Sequence, residues 1–181
     1  DTEPLYLDTD GANYIRTKWA IDPETKEYTY PLREIQMELY ADSKAPVIQP
    51  KFNATNSFKK DGIIYYGEDL QIEFVEWDEQ SGVKNSFWSL NNNSWNTGKL
   101  DFENESTDAY SFSYYSVDNV NNYSDQKDLS FVYDKTAPKT TLAKTKEGTY
   151  VFGPKTLVQF DVVEEHSGLK ATYFKLGDNK Y

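Results

Sequence analysis

Apolar and polar residues alternate along much of this chain. Leu70, Ile72 and Phe74 are interleaved with Gln71, Glu73 and Val75, and Leu129, Phe131 and Tyr133 with Asp128, Ser130 and Val132. A period of two marks a strand with one buried face. Val158 and Phe160 repeat the first pattern, and Met37 and Leu39 the second. Across 46–137 the pattern predicts seven short strands, near 47–52, 63–66, 69–77, 83–90, 99–104, 109–117 and 127–133. Short strands at such regular spacing are the signature of a β-sandwich. Trp88 and Leu90 are expected in the core of the fourth strand. The sixth strand is ambiguous: Phe112 and Tyr114 point inward by their own pattern, yet they align with Arg16 and Lys18 in an earlier copy.

That earlier copy belongs to an internal repeat, the kind of pattern that decides an architecture. Asp42-Ser43-Lys44-Ala45-Pro46 returns as Asp134-Lys135-Thr136-Ala137-Pro138, 92 residues on. YIRTKWAID at 14–22 resembles YSFSYYSVD at 110–118. IEFVEWDEQSGVKNSFWSL at 72–90 resembles VQFDVVEEHSGLKATYFKL at 158–176, at a constant offset of 86. Three pieces follow: a complete repeat over 46–137, the C-terminal half of a repeat over 1–45, and the N-terminal half of another over 138–181. The chain thus reads as a cyclic shift of two repeats. Half a sandwich leaves apolar strands and open edges. The arrangement therefore implies either a piece of a longer array or half-repeats completed between molecules, and strand exchange of that kind builds fibres.

Composition narrows the class. Aromatic residues make up 16% of the chain and suit half-buried pleated surfaces. Runs of helix-forming residues are missing, so the fold is expected to be all-β: tandem antiparallel β-sandwich repeats of about seven strands. The formal net charge of −11 argues against nucleic acid, which needs clustered Lys and Arg. It also argues against anionic membrane surfaces, and no stretch is long and apolar enough for a spanning helix. With no Cys, disulfides and thiolate chemistry are excluded.

The runs DEQSGVKNSFWSLNNNSW, YSFSYYSVDNVNN and DKTAP resemble the bacterial Ig-like repeats of large surface proteins. They are most similar to the repeat family named after a spirochaete outer-membrane protein. The resemblance covers 46–137 and, through matching halves, both ends. Asn121 stands where the family pattern has Gly, and Asp22-Pro23-Glu24 replaces its Asn-rich loop. The resemblance implies an extracellular or cell-surface location on a bacterium, with the periplasm as the alternative. It also implies a role in presentation or adhesion.

Asp78-Glu79-Gln80-Ser81-Gly82 reads as a tight turn, with Gly82 suited to positive φ and the Asp carboxylate to the turn's N–H groups. In an Ig-like sandwich this turn, the loop at Asp118-Asn119 and the linker at Asp42 share one pole. Asp42, Asp78, Glu79, Asp118 and Asn119 would then converge on a hard cation. Calcium takes six to eight oxygens, and Asp134, Glu164 and Glu165 would start a second such site. Structural turn chemistry is the competing reading of the same acids. Trp95 and Tyr181 could stack on a sugar, or pack at a loop base. His166 is the single histidine, and it is expected as a polar surface residue. It supports neither a catalytic triad nor a His-rich zinc site. Adjacent acids on a strand face opposite ways, unlike the facing carboxylates of a glycosidase, and no catalytic residue is assigned.

The expected function is a non-catalytic segment of a surface stalk or adhesin, partnered by neighbouring Ig-like repeats of the same or another chain. The alternatives are a module binding host protein or glycan, an accessory domain of a large secreted enzyme, and a fibre subunit.

Overall fold

A computed structural model describes residues 6–7, 9–16, 22, 24–27, 36–142, 153–155, 157–176 and 179–180. The described residues hold strands, turns and irregular segments and no helix. Among the described residues fifteen strands follow one another. In chain order they are β1 (Gly11–Arg16), β2 (Gln36–Ala41), β3 (Val47–Asn53), β4 (Ser57–Lys60), β5 (Ile63–Tyr66), β6 (Gln71–Trp77), β7 (Val83–Leu90) and β8 (Asn96–Thr97). After them come β9 (Leu100–Asp101), β10 (Asp108–Asp118), β11 (Lys127–Tyr133), β12 (Lys139–Leu142), β13 (Phe160–Val163), β14 (Lys175–Leu176) and β15 (Asn179–Lys180).

The central strands form two sheets, one ordered β3-β6-β9 and the other β4-β5-β11-β10-β7-β8. The fold is all-β and has the strand arrangement of a β-sandwich. Each of the seven expected strands is present, the fifth shortened to Leu100–Asp101. Two strands were not anticipated. β4 is the outer arm of a hairpin whose two-residue loop is Asp61-Gly62, both at positive φ. That dipeptide is a hairpin signature, because its backbone twist matches that of the flanking strands. Asn91 and Asn92, also at positive φ, turn the chain out of β7 toward β8. One ladder departs from the antiparallel expectation: β5 runs parallel to β11, with Tyr65 beside Val132 and Tyr66 beside Tyr133. The hairpin reverses the chain once between β4 and β5, so the inner arm meets β11 running the same way.

The chain divides into two compact units, one of 1–49, 74–87 and 114–126, the other of 50–73, 88–113 and 127–181. In the second, Phe102 is fully buried among Tyr110, Phe131 and Tyr133, with ring centroids 5.2, 5.5 and 5.1 Å away. Phe52 of β3 stacks on Tyr66 at 5.0 Å and meets Phe131 edge-on at 5.5 Å. Such pairs add about 0.5–1.5 kcal/mol each beyond their buried area. The buried tyrosines satisfy their hydroxyls: Tyr133 donates to the Glu68 carbonyl at 2.9 Å and Tyr110 to the Ser106 carbonyl at 2.9 Å. Tyr110 sits near the start of β10 and reaches four residues back, an arrangement similar to a tyrosine corner. Burial raises the pKa of both phenols.

In the first unit, Phe74 of β6 packs on Tyr114 of β10 at 5.8 Å, and Phe87 stacks on Tyr115 at 5.0 Å. The ambiguity of the sixth strand is thereby resolved. Phe112 and Tyr114 face inward, as do Tyr110, Ser116 and Asp118. Trp88 departs from the core expectation. It is only partly covered, and its indole N–H donates to the Gly98 carbonyl at 2.9 Å. An indole needs an acceptor, and the sheet margin offers one that an apolar interior lacks.

Toward the ends, β1 pairs antiparallel with β2, Tyr14 opposite Glu38, and β12 with β13, Leu142 opposite Phe160. Met37 of β2 and Val158, two residues before β13, lie about half exposed. The buried alternation of the central strands is not reproduced there.

Candidate functional site

Three carboxylates of the first unit meet at one point. Asp42 lies in the linker after β2, Asp78 just after β6, and Asp118 ends β10. Their oxygens come within 4.8 Å of one another. Like charges so close need compensation, and backbone amides supply it. Asp78 Oδ1 accepts the N–H groups of Gly82 at 2.7 Å and Gln80 at 3.2 Å. Asp118 Oδ1 accepts Asn122 N–H at 2.8 Å and Val120 N–H at 3.0 Å, while its Oδ2 accepts the Asn122 side-chain amide at 2.7 Å. Asp42 Oδ2 accepts the N–H of Ser81 at 3.1 Å, and its Oδ1 that of Lys44 at 3.0 Å. The Asn122 amide also donates to the Asp42 carbonyl at 3.0 Å. Linker, turn and loop are laced together through acids that each hold a local backbone turn.

The other two expected ligands turn elsewhere. Glu79 is exposed and pairs with Lys44 at 3.5 Å. Asn119 presents its amide N–H groups to the carbonyls of Ser81 at 2.8 Å and Gly82 at 3.0 Å. Asp42, Asp78 and Asp118 remain as three carboxylates with one oxygen of each within 4.8 Å of the others, and calcium takes six to eight oxygens. The geometry they form is a clasp for N–H donors.

A related arrangement lies in the second unit. Asp134 Oδ2 accepts the N–H of Ser167 at 3.1 Å, repeating the Asp42–Ser81 bond, and Glu164 Oε1 accepts that of His166 at 3.2 Å. Asp134 Oδ1 also accepts the hydroxyl of Thr136 at 2.6 Å. The structure brings Asp134 and Glu164 together, leaves Glu165 exposed, and adds His166 in its place. His166 is partly buried, not the surface residue expected: its Nδ1 is shut off from solvent. Trp95 is 41% exposed. Its proposed companion, Tyr181, lies outside the described residues.

Electrostatics follow the hydrogen bonds. The Ser81 hydroxyl, then the N–H groups of Lys44 and Ser81, hold Asp42 below its ordinary value of 3.8. Burial pushes Asp118 and Asp134 up, but the donors outweigh it. Asn122 leads at Asp118 and Thr136 at Asp134, and both carboxyls end lowered. A depressed folded pKa means stability that is full above the unfolded value and lost as pH falls through the folded one. Urea midpoints should therefore hold steady from pH 7 to about 5 and drop below about pH 4. Asp42→Asn should flatten that drop. A midpoint that falls on raising the pH from 4 to 6 would contradict the clasp.

Neither a protein-family model nor a curated protein sequence matches the chain.

Proposed function

We propose that this chain is a non-catalytic spacer segment of a bacterial surface stalk or adhesin, built from Ig-like repeats. The observation that carries the reading is the doubled clasp. In both copies the acid of the Asp-X-X-Ala-Pro linker accepts the N–H of the serine in the next Ser-Gly turn, each time at 3.1 Å. A linker tied by its own acid to the following turn is the part a stack of sandwiches needs, since it restricts the joint. Pro46 and Pro138 restrict it further. The terminal pairings add support: β1 and β2 occupy the positions that the internal match aligns with β10 and β11, and β12 and β13 those aligned with β3 and β6. Residues 1–45 and 138–181 are thus read as halves of neighbouring repeats.

A spacer should show no saturable affinity when the whole chain is passed over immobilised matrix proteins and glycans. Saturable binding that Trp95→Ala abolishes would overturn this reading in favour of a binding module.

A further inference from the structure

We propose that Asp134, Glu164 and His166 bind a first-row transition-metal dication of the zinc type. One ligand atom from each comes within 4.8 Å of the other two. Asp134 follows β11, and Glu164 and His166 lie in the turn after β13, so two separate stretches of chain converge.

The second observation is the histidine itself. Its Nδ1 is buried and has no hydrogen-bond partner among the described residues. A buried polar atom left unmatched costs about 1–3 kcal/mol, so native structures rarely keep one without a reason. The two acids beside it are natural partners for a ring N–H, yet neither bonds to Nδ1. A dication bound through Nδ1 would answer both facts. Zinc sits about 2.0–2.2 Å from imidazole nitrogen and carboxylate oxygen, so its ligands stand about 3–4 Å from one another.

The acids retain room for the ion. Oδ1 of Asp134 is engaged by Thr136 and Oδ2 by Ser167, and a carboxylate offers about four acceptor positions. Glu164 uses Oε1 for the His166 N–H, which leaves Oε2. Asp134 also lines an open cleft of about 590 Å³, a route of entry. The donor set selects the metal. Imidazole suits zinc, copper, iron and nickel, whereas calcium takes oxygen alone. Gln80 stands in the sister turn where His166 stands here, so the inference concerns this turn only. Three protein ligands leave a fourth position to water.

The test uses the whole chain without an affinity tag, stripped by chelator, in a non-coordinating buffer. His166 is the only histidine, so its ring gives one set of NMR signals. Adding zinc chloride should shift one ring ¹⁵N resonance with a 1:1 end point, matched by a saturable calorimetric isotherm. His166→Gln, which installs the sister residue, should weaken binding about tenfold or more. Asp42→Asn should leave it unchanged, and a tenfold excess of calcium should not displace the zinc. Unshifted ring signals, unchanged affinity in His166→Gln, or displacement by calcium would each overturn the proposal.

Discussion

Replacing Phe102 with alanine should lower the stability of the chain by about 3–5 kcal/mol, the usual cost of emptying a large buried aromatic site. Phe102 has no exposed surface and is ringed by Tyr110, Phe131 and Tyr133. Its own N–H donates to the Leu70 carbonyl at 3.1 Å, so the backbone stays in place when the ring is removed. The neighbouring rings cannot collapse freely. Tyr110 is tied to Ser106 and Tyr133 to Glu68, so the cavity should persist. Marginal stability makes such a loss visible as a large fall in urea midpoint. A fall of less than about 1 kcal/mol would mean that the aromatic cluster is not the core of the second unit.

Gly82→Val should cost about 2 kcal/mol, for a different reason. Gly82 has φ +78°, a conformation that L residues with branched side chains scarcely adopt. Space is not the obstacle, because an added Cβ would meet only the Asn119 side-chain nitrogen, at 3.5 Å. The backbone is the obstacle. The N–H of Gly82 donates to Asp78 and its carbonyl accepts from Asn119, so relaxing φ would break both ends of the turn. The urea midpoint should fall. The Ser81 amide should exchange faster with solvent, since its bond to Asp42 depends on the turn. Gly82→Ala should cost less than valine, for want of the second branch. Equal effects of alanine and valine would point to crowding and away from φ.

The sequence by itself determined the class of fold. The central strands were legible where alternation is clearest, as in β3 and β11, because a period of two is a local property that survives without knowledge of partners. Leu70 and Ile72, Phe131 and Tyr133 were placed inward on that ground, and they are buried. The Asp-X-X-Ala-Pro and Ser-Gly motifs marked the acids that cap their own turns, as Asp78 does for Gly82 and Asp134 for Thr136, because those partners lie beside them in sequence. The β4–β5 hairpin was also written there, in Asp61-Gly62, although its flanking strand Ser57–Lys60 lacks a buried face and so carries no periodic signal.

Only the tertiary structure decided what depends on partners distant in the chain. It turned Glu79 toward Lys44 and Asn119 toward two carbonyls, while drawing Asp42, Asp78 and Asp118 together. It set β5 parallel to β11, and moved Trp88 to where its N–H finds Gly98. It also brought Asp134, Glu164 and His166 together. Composition records which groups exist, but side-chain direction at a loop is set by the donors and acceptors that folding brings alongside. Those come from residues tens of positions away, as Asn122 does for Asp42, and no local pattern encodes them.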